Sequence, residues 1–207
     1  MKYKYSFVLK IQFLGFRFSG WQKQTNAKTI HDRVDKSLSF VFGHFDFKTI
    51  GMSRTDAKVS ANTYYMQMFT FDNFDNEWFL KCLNNNFSSD FKINSIVKVP
   101  INFNIINRPK VKEYHYYFSF GEKNHPFSAP FLLGLEEDLN ISLMKKGALL
   151  FKGEHYFGKY CTKPSDKTIL TRVIDNCEII ENTLLHASFF PKKSFQCYIL
   201  NVILPNA

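Results

Sequence analysis

IGMSRTDAKVSAN, residues Ile50–Asn62, interrupts an apolar, aromatic-rich region with a glycine, an arginine, an aspartate and several small residues. A plain hairpin turn uses Asn-Gly or Pro-Asp and needs no arginine. Two readings of Arg54-Thr55-Asp56 follow. In one, flanking strands hold a carboxylate and a guanidinium at a cleft. In the other, Asp56 caps local backbone N–H groups and Arg54 is a surface side chain. In a basic chain, the functional reading of Arg54 is contact with phosphate.

Working outward, strand-like segments flank the stretch near Asp46–Ile50 and Val59–Phe71. From Tyr3 to Phe13 every odd residue is apolar or aromatic, the period of a strand with one buried face. A glycine-containing polar loop, LGFRFSGWQKQTNAK, leads into TIHDRVDKSLSFVF. There Thr29 can cap, with Asp32 three residues on, and Ile30, Val34, Leu38 and Val41 recur at helical spacing. A helix over Asp75–Asn85 and a strand over Ile93–Val99 follow. Pro100 marks a boundary, after which a similar rhythm begins. It comprises a strand over Lys112–Phe120, a loop through Pro130, a helix over Ile141–Phe151, strands over Arg172–Ile180 and Leu184–Phe190, and a helix over Phe195–Leu204. Without strict βαβ alternation this is an α+β chain with largely antiparallel pairing. Its two related halves, 1–100 and 101–207, are expected to share one sheet.

The 207 residues are 45% hydrophobic, enough for a sizeable core, and carry a formal charge of +9. That excess favours a polyanionic partner, because basic surface releases counterions from phosphates. Nucleic acid is preferred to an anionic membrane: the sequence has no lysine-faced amphipathic helix and no spanning apolar run. The charged, alternating N-terminus is not a signal peptide, so the expected location is cytoplasmic. Cys82, Cys161, Cys177 and Cys197 are scattered without C-x-x-C and read as reduced thiols, with no metal site.

Two more stretches could meet RNA. In GFRFSGWQKQ, Gly15 and Gly20 give backbone freedom, Trp21 a stacking face, and Gln22, Lys23 and Gln24 donors. Arg17 in this loop and Lys58 beside Asp56 add cations for RNA. In KEYHYYF, Tyr114, Tyr116 and Phe118 share one strand face; packing explains this, or one tyrosine stacks on a base. Lys110 and Lys112 precede it as solvated or RNA-facing lysines. His155 reads as structural or as an RNA-edge contact, and Arg172 as a phosphate contact or a surface ion pair. No Ser-His-Asp order, Walker loop or Rossmann glycine pattern is present.

Taken in order, GFRFSGWQKQ with TIHDRVDKSL, GMSRTDAKVSA, FNIINRPKVKEYHYYF, LLFKGEHYFGKYC, LTRVI and Phe195–Leu200 resemble the bacterial tRNA pseudouridine synthase A family, from Phe7 to about Ile203. The resemblance implies the pseudouridine synthase fold, two ferredoxin/RRM-like halves with flanking helices. It implies isomerisation of uridine to pseudouridine in tRNA, in the anticodon stem-loop, without cofactor or metal, by a homodimer. Asp56 would be the essential carboxylate, as nucleophile or base. Arg54 would contact backbone or help flip the base, Tyr114 would stack on the flipped ring and assist proton removal from C5, and Arg172 and the lysines would grip the stem. The chain departs from the pattern at four positions. Asn201 stands where an arginine would pair with the carboxylate, Ser60 where a histidine is expected, Ile106 where an arginine is expected and Tyr156 where an aspartate is expected. It also stops soon after Asn201, where the family continues with a further helix and strand, so the expectation is either a domain of shortened form or a partner or second copy that covers that end. The alternative reading is an RNA-binding protein of chaperone type that keeps the fold without turnover.

Overall fold

The computed structural model describes residues 3–107, 110–162, 164–166 and 168–203, and the chain divides into two compact units, Met1–Arg108 and Pro109–Ala207. In the first, the period-two run becomes β1 (Tyr5–Phe13). It is followed by α1 (Ile30–Phe42), β2 (Phe47–Gly51), β3 (Ala61–Thr70), α2 (Asn76–Asn86) and β4 (Phe91–Val99). The sheet order is β2-β3-β1-β4 with every neighbour antiparallel, the split βαββαβ arrangement of ferredoxin-like domains. Alternation places Phe7, Leu9, Ile11 and Phe13 of β1 on one face with Tyr64, Met66 and Met68 of β3. They pack in one cluster with Ile30, Val34 and Leu38 of α1 and Phe79 and Leu83 of α2. From the fully buried Gln67, Nε2 donates to Ser6 Oγ at 2.8 Å and to Phe103 O at 2.7 Å, and Oε1 accepts the Ile105 N–H at 3.0 Å. This single amide anchors the segment after β4, because its donor and its acceptor both pair there and leaving either unmade in the core would be costly.

Thr29 sits at the N-cap of α1, but its side chain makes no capping hydrogen bond and its buried Oγ1 lacks a partner. Loop carbonyls cap this helix instead: Ile30 N–H donates to Gly20 O at 3.0 Å and His31 N–H to Trp21 O at 3.1 Å. Asp32, the expected second half of a capping box, pairs with Lys36 one turn on at 2.7 Å. At α2 the cap is orthodox, with Asp75 accepting from Trp78 N–H at 2.8 Å.

The second unit contains β5 (Lys110–Phe120), β6 (Leu133–Leu135), α3 (Ile141–Leu149), β7 (Gly153–Tyr156), β8 (Thr171–Ile174), β9 (Asn176–Glu181) and β10 (Phe195–Ile203). Its four-stranded sheet runs β6-β5-β10-β9, with β5 and β6 parallel and the other neighbours antiparallel. β7 and β8 form a separate antiparallel ribbon. Phe118, Ala148, Ile174, Cys177, Ile179 and Phe195 form its core. The α+β, largely antiparallel class is as the sequence leads one to expect, although the hydrogen-bonded strands form one four-stranded sheet in each unit.

Three elements differ from the sequence expectation. The expected helix over Phe195–Leu204 is the strand β10, central between β5 and β9; Leu204 lies outside the described residues. FQCYILNVI is apolar at both parities, and such a run cannot be told from a helix by period alone. The expected strand over Arg172–Ile180 is two, β8 and β9, broken at Asp175. Leu184–Phe190 is not a strand but a loop organised by the buried Asn182. That side chain accepts from Leu184 N–H and Leu185 N–H and donates to Ser194 Oγ at 3.0 Å.

Candidate active site

The Ile50–Asn62 stretch becomes the end of β2, the loop Met52–Ser60 and the start of β3. Pairing of Gly51 with Met66 aligns the two strands, and Met52 N–H donates to Tyr65 O at 3.0 Å. Below the loop, the Tyr64 hydroxyl donates to Ser53 O at 2.5 Å. Burial pushes the Tyr64 phenol well above its ordinary range, opposed in part by the Ser53 N–H that points at the same oxygen from 3.5 Å. It therefore stays a neutral donor.

On its other side the loop is laced to the segment Gly15–Trp21. Gly15 N–H donates to Ser60 Oγ at 2.9 Å, Lys58 N–H to Phe18 O at 3.0 Å and Trp21 N–H to Thr55 O at 3.1 Å. The glycines permit this approach. A Cβ on Gly15 would lie 1.8 Å from Val59 O, and one on Gly20, at φ +88°, would lie 2.5 Å from Thr55 O. Lys58 holds a left-handed conformation at φ 66°, the only described non-glycine residue to do so. Strained backbone of this kind concentrates at functional loops.

The two segments enclose a cleft of about 420 Å³ lined by Ser19, Gln22, Gln24, Arg54, Thr55, Asp56 and Ala57. Asp56 and Arg54 are both exposed. The Asp56 carbonyl accepts from Val59 N–H at 3.3 Å. Its carboxylate, by contrast, makes no hydrogen bond or ion pair with any described residue. The aspartate is thus not a turn clamp, and its acceptor capacity is available to something entering the cleft.

The other expected contacts divide. Gln22 lines the cleft. Trp21, expected to offer RNA a stacking face, is only 2% exposed and packs against Phe13, His31 and Tyr64; it is a core residue under the loop. Lys23 is ion-paired with Asp35 of α1. Arg17 pairs with Asp90 at 2.7 Å while keeping an exposed side chain. Burial opposes the charge on Asp90, but hydrogen bonds from Ser88 and Arg17 outweigh it and hold the carboxyl below its usual range. Lys58 is exposed beside the cleft.

In the second unit Tyr114 is 50% exposed on β5, opposite Ile199, and Lys112 is half-buried on the same strand. Lys110 begins β5, and Asn201 stands opposite Lys112 in the register. His155 and Arg172 face each other across the β7–β8 ribbon, and a ring nitrogen of His155 is 3.0 Å from Lys152 O. Of the departing positions, Ser60 is the acceptor for Gly15, while Ile106 and Tyr156 are exposed. Sequence reasoning missed Ser19, Tyr64 and Asp35. Tyr64 had a signal, being on the inward parity of β3; Asp35 had none beyond an ordinary helical acid. Among the described residues no group of three or more His, Cys, Asp or Glu side chains could hold a metal ion, and no helix is long and apolar enough to cross a membrane.

No family model matches the chain. Among curated proteins, it is 32% identical over 178 residues to the tRNA pseudouridine synthase A of Bacillus sp. (strain KSM-64), covering 86% of this chain and 72% of that one. The chain belongs to the tRNA pseudouridine synthase A family. It is also 32% identical over 152 residues to the Aquifex aeolicus (strain VF5) tRNA pseudouridine synthase A. That match covers 73% of this chain, which spans 63% of the relative's length. To tRNA pseudouridine synthase A 2 of Bacillus thuringiensis subsp. konkukian (strain 97-27) it is 29% identical over 177 residues, 85% of this chain and 72% of the relative. In this tRNA pseudouridine synthase A family member, Arg54, Thr55 and Asp56 of the SRTD motif line the cleft just described.

Proposed function

We propose that this chain is a tRNA pseudouridine synthase, with Asp56 as the essential carboxylate and a uridine of the anticodon stem-loop as its target. The reaction cleaves N1–C1′, turns the uracil and joins C5 to C1′; C5 gives up its proton and N1 gains one. The sum is an isomerisation, which consumes no oxidant, reductant or cofactor. Asp56 serves as nucleophile or base while the base is detached. The target must leave its stack to reach such a group. Arg54, beside Asp56 in the cleft wall, contacts the backbone or the vacated position. Tyr114 stacks on the turned ring and helps remove the C5 proton. Gln22 and Lys58 with Arg17 from the first unit, and Lys110, Lys112, His155 and Arg172 from the second, supply RNA contacts. On this reading the protein acts in the cytoplasm as a homodimer, and its +9 charge draws it to tRNA.

One observation carries the proposal: the unengaged Asp56 carboxylate in a cleft whose loop is held by backbone bonds on one side and Tyr64 on the other. The test is pseudouridine mapping on unmodified tRNA. Wild type forms product, and Asp56→Asn forms none while tRNA affinity stays within about threefold, since a carboxylate lost from the chemistry spares uniform binding. Product from Asp56→Asn equal to wild type refutes the assignment. A second reading, tRNA binding without turnover, is favoured by a separate fact: Asn201 stands where the family resemblance expects the arginine that would pair with the carboxylate. Binding by wild type with no product under any condition selects it.

A further inference from the structure

Two residues of the loop before α1 are tied to that helix, the buried Trp21 and the exposed Lys23. Trp21 stacks on His31 of α1, with ring centroids 5.2 Å apart and 20° between planes. Two residues on, the Lys23 ammonium is ion-paired with Oδ2 of Asp35, one turn further along α1. Asp35 Oδ1 accepts the Thr49 hydroxyl of β2 at 2.7 Å. His31 Nε2 lies 2.7 Å from the same Thr49 oxygen. Because the hydroxyl proton goes to Asp35, the oxygen accepts, and His31 is the Nε2–H donor. A carboxylate with two partners from two elements differs from an isolated surface pair, since its position is set on both sides. Asp35 is largely buried, with its side chain 13% exposed.

Gln22 and Gln24, exposed like Lys23 but not tied to α1, both line the cleft with Asp56. Gln24 Nε2 donates to Ser19 O at 3.3 Å, which leaves its amide oxygen as an acceptor. A primary amide carries both donors and acceptors, the complement of an unstacked base edge, which is read by hydrogen bonds of this kind.

We propose that Asp35 is a positioning residue of the cleft: by tying Lys23 to α1, it presents Gln22 and Gln24 to the hydrogen-bonding edge of an unstacked nucleotide base. Lys23, on this account, is a peg of the loop and not an RNA contact. The inference rests on the nucleic-acid reading above, but not on turnover.

The test is a double-mutant cycle on the full chain, read as tRNA affinity and as kcat/KM for pseudouridine formation. Asp35→Asn keeps the acceptor for Thr49 and loses the charge that holds Lys23. It is compared in the wild-type background and in a Gln22→Ala/Gln24→Ala background, and Lys23→Met, at a half-exposed site, repeats the cycle should Asp35→Asn fold poorly. The expected result is a loss of about tenfold in the wild-type background and less than about twofold once the glutamines are gone, with the same shift of unfolding midpoint in both. Equal losses in the two backgrounds, or no loss in the first, overturn the proposal, because a merely structural role is blind to the glutamines. Should wild type bind tRNA but form no pseudouridine, the affinity cycle still decides the role of Asp35, and the isomerase reading falls alone. Absence of tRNA binding overturns both.

Discussion

At the scale of single residues, what matters is which polar groups are already engaged. Asp56 is not, whereas Arg17 and Lys23 are committed to Asp90 and Asp35. The surroundings of His31 act on its charge from both directions. Burial lowers its pKa below the ordinary 6.5, Lys23 adds to that, and Asp35 and Asp32 oppose it. The folded protein therefore binds this proton less tightly than the unfolded chain. The stability that His31 contributes is complete above pH 6.5 and is lost as the pH falls below it, when the unfolded chain takes up the proton first. Urea unfolding between pH 7.5 and 5 should show this decline, and His31→Gln, which keeps an N–H for Thr49, should flatten it relative to wild type. Parallel profiles would assign the pH dependence to other groups.

At the scale of elements, the two helices of the first unit begin by different means, and the difference is measurable. Asp75→Ala removes a real cap and should cost about 1 kcal/mol. Thr29→Val replaces a buried hydroxyl that has no partner by an isosteric methyl, and should be neutral or stabilising. Equal losses in thermal melts would mean that the Thr29 hydroxyl has a partner in solution. The lacing of the Met52–Ser60 loop is stricter. Gly20→Ala places a methyl against Thr55 O at a positive φ, so a cost of about 1–3 kcal/mol is expected, together with a fall in kcat as the motif shifts. A Gly20→Ala protein with wild-type melting and activity would contradict the close packing of the two segments.

At the scale of the whole molecule, the two units are unequally built. Among the described residues the first buries 18 hydrophobic residues in one cluster and the second 6, so burial supplies far less to the second. Hydrogen exchange should accordingly find its slowest amides in β1, β3 and β4, with β5, β9 and β10 opening at lower free energy. The reverse order, or uniform protection, would show that the second unit draws stability from outside its own core. The same asymmetry explains where the sequence was hard to read. In the first unit the patterns are clean because one face of each element is deeply buried. In the second, half-covered strands dilute the alternation, and β10 passes for a helix.

What the residues determine locally was therefore legible: β1 from its alternation, α1 from its 3.6-residue period, and the special character of Arg54-Thr55-Asp56 from a turn that needed none of them. The order of these motifs also carried the family. Trp21 and Lys23 were not legible, because an aromatic and a lysine in a polar loop look the same whether they meet RNA or are held by the rest of the fold. Only the fold decides that, by bringing His31, Asp35 and Thr49 beneath the loop from positions up to 28 residues away. Periodicity is a property of neighbours along the chain, whereas the direction of a loop side chain depends on partners that distant pairing supplies.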